Sequence, residues 1–579
     1  MSGPRAERGG QPTSYLGDAA ALVRTGGLRQ AAALAAAMRA RHLPGVEDVV
    51  EADASVGVVV DPDAADLDGV LAEAADVLAA LPSDGELVAA RSARRVHEVP
   101  VHFDGEDLPL VARHLRMPTG DVVAGLCGAS LEVGFLGFLP GFAYLTGLPP
   151  ALASLDRLPS PRRRVPPGSV ALGGGYAAIY PAASPGGWFL LGRTSFSVFD
   201  PDVPPYAVLS PGDGVRFVPV AAPGAGSGDD DALAAVPPGR APLRTGTARA
   251  LEIVSAGGLS SVQDRGRIGV AHLGIPRAGA FDLSLLARAN LAVGNAPLAG
   301  ALEVAGDGFA ARCRGDLVVA LATAGRGRLL SVDGRLLPPG TVVSARHGSL
   351  LELRRDPERR GSSAPGEGAR AYLAVAGGVI GPVRFGSCSS DLVSTLGPGA
   401  LRAGDELPLG DPGRPRGRLL PGLAPDGPVR LRVIGEPHAV ARLIGRVFLV
   451  DPASDRTGVR IVAAPDGKPA NKTNTTTAGA IRPRRSQAMV TGAVQLPPGG
   501  SPILLGPDHG TIGGYEVACT VITADHPLLA QLLPGEEVML VPVSLEEAAA
   551  ARREAAGALR RAVQGWLPMA EGGLRRRPT

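Results

Sequence analysis

A mainly β protein with a small α/β unit at its N-terminus is the fold class this sequence predicts, and three observations lead there. Gly and Pro are abundant, 80 and 54 of 579 residues. Each disfavours a helix interior by roughly 1 to 3 kcal/mol, so short strands joined by turns are favoured over long helices. Apolar runs such as GSVALG, YAAIYP, WFLLGRT and GVRFVPV follow one another between those turns, at the spacing of an antiparallel barrel or sandwich. Two Ala-rich amphipathic stretches, by contrast, lie in the first hundred residues.

Residues 1–13 read as a disordered tail. From 14 to 95, AAALVRT predicts a strand, LRQAAALAAAMRARHL a helix, VEDVVEADASVGVVVDP two strands about a turn, and LDGVLAEAADVLAAL a second helix. That order is a small split β-α-β domain. Residues 96–220 are β-rich and nearly free of helix signals. Residues 221–247, AAPGAGSGDDDALAAVPPGRAPLRTGT, form a small, polar, Pro/Gly-rich linker. A second β-rich region spans 248–545, with one helix at FDLSLLARANLAVG and a surface insertion at 354–370. Residues 546–579 continue as a charged, Ala-rich helical tail.

Composition excludes several functions. A formal net charge of +2 gives no bulk attraction to nucleic acid or membrane. The only lysines, Lys468 and Lys472, fit neither a P-loop nor a biotin-bearing hairpin. Cys127, Cys313, Cys388 and Cys519 are dispersed, with no C-x-x-C pair, so buried free thiols are expected. No uninterrupted apolar stretch approaches 18 residues and no leader is recognisable, which predicts a cytoplasmic protein.

Four stretches concentrate chemistry. GFLGFLPGFAYLTGLP (134–149) gathers three of twelve phenylalanines and one of seven tyrosines in a segment broken by Gly and Pro. It reads as an aromatic core strand with a tight turn, or as a loop wall facing a ligand, with Phe138, Gly141 and Tyr144 exposed to it. SPGGW (184–188) offers Ser184 and the backbone of Gly186 and Gly187, and Arg193 ends the following β-run; backbone donors with an arginine fork suit a carboxylate or phosphate. Residues 257–304 pack Gln263, Asp264, Arg267, His272, Asp282, Asn290, Asn295 and Glu303 between apolar runs. Such groups must be paired if buried, and several converging acids, a His and an Arg favour a site. GPDHGTIGGY (506–515) sets Asp508 and Thr511 beside flexible glycines, which suits a metal, an activated water or an Asx-capped turn.

Together these stretches resemble a known pair. GFLPGFAYLTGLP, PRRRVPPGS and the SPGGW–LLGRT run are similar to the smaller allophanate-hydrolase-like subunit. GGLSSVQDRGR, AGAFD, ALEV, RAYLAVAGG, SDRTGVRI and GAVQLPPGGSPILL are similar to its larger companion. These are also the B-type and C-type subunits of bacterial ATP-dependent 5-oxoprolinase, related to the carboxyltransferase domains of urea carboxylase. The resemblance identifies a fusion of two subunits usually made separately. It implies cyclophilin-like β-barrel domains in two fused halves: a domain like the smaller subunit at 96–220, and a carboxyltransferase domain like the larger one at 248–545, in two β-barrel lobes. A cleft between the halves is expected. Tyr176 and the following alanines, Cys127 and Cys388 depart from the family pattern.

The activity implied is ATP-dependent opening of 5-oxoproline, or a similar cyclic amide, together with a separate A-type subunit. Arg193 and Arg267 would hold anionic oxygens, Asp264 or Asp508 would carry Mg²⁺, and Asp282 or His272 would move protons. Asn290, Asn295, Glu303, Arg456 and Thr511 would line the substrate site. The alternatives are a carboxyltransferase acting on urea or a small amide, served by a partner carrying biotin, and a non-catalytic regulator of a sensor kinase.

Overall fold

The structure, a computed structural model, describes residues 13–89, 95–158, 162–221, 243, 246–325, 327–338, 340–357, 368–414, 428–464, 486–497 and 501–564. Residues 1–12 of the expected tail, most of the 221–247 linker, the centre of the 354–370 insertion, both lysines and residues 565–579 lie outside them.

The N-terminal unit is a four-stranded antiparallel sheet in the order Thr13–Tyr15, Ala20–Arg24, Ser55–Val60, Val46–Glu51. Helices Leu28–Ala40 and Leu67–Ala80 pack on it. The second is capped by Asp66, whose carboxylate accepts from the Asp68 and Gly69 amides. Strand alternation gives this sheet two cores: Ala21, Val23 and Val49 face the helices, while Ala20, Leu22 and Val50 face a second, aromatic core.

That aromatic core belongs to the next domain. A seven-stranded sheet runs Phe189–Arg193, Ser169–Gly173, Tyr176–Ile179, Ala143–Thr146, Leu131–Leu136, Gly214–Pro219, Val96–Val101. One face buries aliphatic Val133, Leu145, Leu172 and Ile179. The opposite face carries Phe135, Phe142, Tyr144, Tyr180 and Trp188. Two helices, Leu108–Leu115 and Thr119–Cys127, cover the aliphatic face. They correct the expectation of almost no helix after residue 96. Leu108, Val111 and Ala112 do sit at helical spacing, but over a span too short to stand out from its Pro-rich surroundings.

In the C-terminal half a six-stranded and a five-stranded sheet enclose one aliphatic core between residues 250 and 409. Helix Leu283–Ala292 packs on the five-stranded sheet. The second lobe closes into a seven-stranded barrel, Val429–Ile434, Glu516–Val521, Ala493–Leu496, Ile503–Leu505, Gly458–Ala463, Phe448–Val450, Glu537–Pro542. Helix Leu545–Gln564 follows it, and its Arg552 reaches back to Asp18 at 3.0 Å and Asp63 at 3.1 Å. Among the described residues no helix is long and apolar enough to cross a membrane.

The halves meet along the aromatic face. Ile512 and Ala488 of the barrel lobe complete its core. A Cβ on Gly137 would overlap the Ile512 side chain, and one on Gly510 would lie 2.9 Å from the Phe138 carbonyl. Phe138 itself holds a left-handed backbone (φ 66°), a strained state for a bulky residue. Gly141, also left-handed, donates its N–H to the Leu273 carbonyl at 2.9 Å. Glu47 of the N-terminal unit pairs with Arg265 and Arg277.

Candidate active site

Three loops of the C-terminal half converge beside this seam: 263–267, 387–394 and 506–511. Asp264 organises the first two. Its carboxylate accepts from Ser387 Oγ at 2.6 Å, the Cys388 and Gly266 amides at 2.8 Å each, and Ser389 Oγ. Burial opposes its ionised form, but these donors outweigh burial and hold the carboxyl below its usual range. Burial and the same carboxylate push the Cys388 thiol up to about 12, so Cys388 is no nucleophile at neutral pH.

Arg456 organises the third. Its Nε and Nη2 form a bidentate pair with Asp508 at 2.9 and 2.8 Å, Nη1 donates to Glu303 at 2.6 Å, and Nη2 also donates to the Gly279 carbonyl at 2.6 Å. Glu303 further accepts from Tyr372 Oη at 2.6 Å and the Phe281 amide at 3.0 Å. Arg370 lies over the Phe281 ring, 4.6 Å from its centroid, and pairs with Glu303 at 3.3 Å. Burial lifts Asp508 to about 6 against the pull of Arg456. Both its oxygens are engaged, so it acts here as a counter-ion.

A second set is left open. Gln263, Arg267 and Thr511 are 0%, 1% and 3% exposed. Gln263 donates to Ser261 Oγ at 2.9 Å and the Ser390 carbonyl at 3.1 Å, yet its Oε1 has no partner. Arg267 donates Nη2 to the Ser389 carbonyl at 2.6 Å, leaving Nε and Nη1 unmet, and Thr511 Oγ1 is unmet too. Asp264, Asp391 and Asp508 all lie in the field of Arg267, which places the two loop acids around one guanidinium. Orphaned polar atoms at this depth are costly without a ligand. Thr511 sits between Gly510 and Ile512, the two residues that touch the Phe138 turn, so the open set borders the aromatic wall.

Other expected site residues are placed differently. Arg193 holds Asp104 through Nε at 3.0 Å on a half-exposed sheet edge, so its fork is engaged by that carboxylate. His272 faces the Arg39–Glu51 pair of the N-terminal unit. Burial, then Arg39, lowers it to about 4, so it is neutral at pH 7. Asp282 caps helix Leu283–Ala292, accepting from the Leu285 amide at 3.0 Å, from Ser284 Oγ at 2.7 Å and from Gln531 at 2.9 Å. Asn290 and Asn295 bond each other at 2.9 Å and close the loop against the Ala299 and Val375 carbonyls and the Gly377 amide. Asp282, Asn290 and Asn295 thus find their hydrogen-bond partners within the protein. Tyr144 is enclosed, stacked on Phe135 at 4.4 Å, with burial pushing its phenol up to about 12. Ser184 is buried with its Oγ unmet, Gly186 admits no side chain against Tyr180, and the Gly187 carbonyl accepts from Leu158 at 2.7 Å.

Mg²⁺ does not fit the carboxylates expected to hold it. The Asp264 oxygens are filled by hydroxyl and amide donors, and those of Asp508 by Arg456. Among the described residues no group of three or more His, Cys, Asp or Glu is arranged to hold a metal. Gln263 was a member of the cluster read from sequence but not singled out. Its signal is the LSSVQ strand, which puts Ser261 and Gln263 on one face, opposite Val262. Arg157 was missed altogether; its guanidinium crosses the seam to lie against Gly514.

Comparison with known proteins agrees with this architecture. Residues 12–209 match the family described as carboxyltransferase domain, subdomain C and D, and residues 273–542 match carboxyltransferase domain, subdomain A and B. The C-type subunit of 5-oxoprolinase from Escherichia coli K12 is 34% identical over 320 residues, covering 52% of this chain and 94% of that protein. The B-type subunit of 5-oxoprolinase from Escherichia coli O157:H7 is 46% identical over 128 residues, covering 22% of this chain and 58% of that protein. The crystal structure of TTHA0988 superposes with a TM-score of 0.74 at 34% identity, covering 90% of this chain and 99% of that one.

Proposed function

The chain belongs to the carboxyltransferase-domain family, and on that premise we propose that it is the fused B-type and C-type component of an enzyme opening 5-oxoproline, or a similar cyclic amide, to the amino acid. The observation that carries the reading is the open set of Gln263, Arg267 and Thr511 beside the seam. A lactam is a poor electrophile, and donors preorganised at its oxygen lower the barrier most where water is excluded. Arg267 would hold the amide oxygen, and Asp264 would fix the loop that aims Arg267. The aromatic wall of Phe138 and its neighbours would keep the site dry. Asp508, neutralised by Arg456, would keep the adjoining loop in register without taking a proton itself.

ATP, when bound, supplies the activation that an unstrained lactam needs. Because the acids here are filled and no P-loop is present, the nucleotide and Mg²⁺ are assigned to a separate A-type subunit. The test is reconstitution: this chain with such a partner, ATP, Mg²⁺ and 5-oxoproline should release glutamate and phosphate, and the full mixture staying inert would end the proposal. The second reading, which the carboxyltransferase-domain match favours, is a carboxyltransferase acting on urea or a small amide. In that case a partner recovered with this chain should carry biotin, detectable with streptavidin.

A further inference from the structure

We propose that Gln263 and Arg267 form a reader for one neutral amide group, Arg267 donating to its carbonyl oxygen and Gln263 Oε1 accepting its N–H, and that this subsite refuses phosphate. The inference rests on the seam being the substrate site, and it names what that site recognises. Three observations carry it.

First, the unmet atoms are complementary in kind: two N–H donors on Arg267, one acceptor on Gln263 and a hydroxyl on Thr511 that can do either. An anion would use the donors and leave the Gln263 oxygen unpaired. An amide presenting C=O and N–H on the same side, as a lactam or urea does, uses both. Second, the two side chains are anchored on the consecutive carbonyls of Ser389 and Ser390, so each is held in a fixed orientation on the same short segment. The Gln263 amide cannot turn over to offer Nε2 instead without losing the bond to the Ser390 carbonyl, which only an N–H can make. Third, the charge around the site is already filled. Asp264, Asp391 and Asp508 already lie in the field of Arg267, while Arg456 is taken up by Glu303 and Asp508. A phosphate dianion set on Arg267 would stand against these acids, whereas the amide group of a lactam or urea brings no charge to that position.

The experiment measures binding to the full chain, by calorimetry and by melting-point shift, of 2-pyrrolidinone, 5-oxoproline, urea, N-methyl-2-pyrrolidinone and inorganic phosphate. The lactams or urea should bind, with the stronger of the two identifying the amide type. N-methylation should weaken lactam binding at least tenfold, because a site built to pair an N–H rejects the analogue lacking it. Phosphate should give no shift. In Gln263→Met the penalty for N-methylation should vanish. If that variant does not fold, the ligand series on the unmodified chain still decides. Equal binding of the N-methyl compound, binding of phosphate alone, or no binding of any amide would each overturn the proposal. Loss of glutamate release in the reconstituted mixture, with lactam discrimination intact, would instead refute the reaction and leave the reader standing.

Discussion

Two buried polar regions lie within one lobe contact of each other, and they differ in one respect. Around Arg456, the carboxylate oxygens of Glu303 and Asp508 all find donors inside the protein. Around Arg267, four atoms of Gln263, Arg267 and Thr511 do not. Both regions are dense in charge and fully enclosed, so neither burial nor charge separates structure from function here. Unspent hydrogen-bonding capacity does: of the two regions, the Arg456 side leaves unmet only Arg370 Nε, which is ion-paired with Glu303 at 3.3 Å, and the remaining unmet atoms belong to Gln263, Arg267 and Thr511.

The comparison breaks most visibly on the saturated side. Arg456→Met should leave Glu303 and Asp508 buried without their shared cation, costing about 3–5 kcal/mol in denaturant unfolding. A loss below about 1 kcal/mol would show that the network is not what secures the barrel to the first lobe. His272 is a third kind of polar group, partly buried and held neutral. Its folded pKa, about 4, lies below the ordinary 6.5. The folded form therefore binds fewer protons than the unfolded chain as pH falls. Stability present above pH 6.5 should drain away between 6.5 and 4, by on the order of 3 kcal/mol in the limit. His272→Gln should flatten that part of the pH–stability curve; an unchanged slope would assign it to other groups.

At the seam, Gly137→Ala should cost about 1–3 kcal/mol through overlap with Ile512, and Ile512→Ala in the same chain, which removes the overlapping Cγ1, should recover part of it. Strict additivity of the two changes would mean the residues do not meet. The smallest stability effect belongs to the open side. Arg267→Lys keeps the cation facing its acids but loses the fork, so unfolding should shift by no more than about 1 kcal/mol, while lactam binding falls at least tenfold. A large loss of stability with binding retained would reverse the two roles.

How much of this could be read beforehand follows from the range of each interaction. The aromatic stretch was legible because Phe135, Phe142 and Tyr144 are near neighbours and strand alternation puts them on one face. Asp264 and Arg267 were legible as a polar cluster between apolar runs. The engagement of Arg193 and of the Asn290–Asn295 pair was not legible for one reason: their partners, Asp104 and backbone carbonyls, are ordinary groups that no local pattern marks. Gln263 needed knowledge of which of its atoms had already been used.

The chain alone settles the order and type of most elements, the helical N-terminal unit and the β-rich halves, because periodicity and Gly/Pro punctuation act over a few residues. It also settles which side chains are available for chemistry. Folding decides which of them remain available. Arg456 meets Glu303 across 153 positions, Arg267 meets only one carbonyl, and that difference is a matter of where chain segments distant in sequence come to rest.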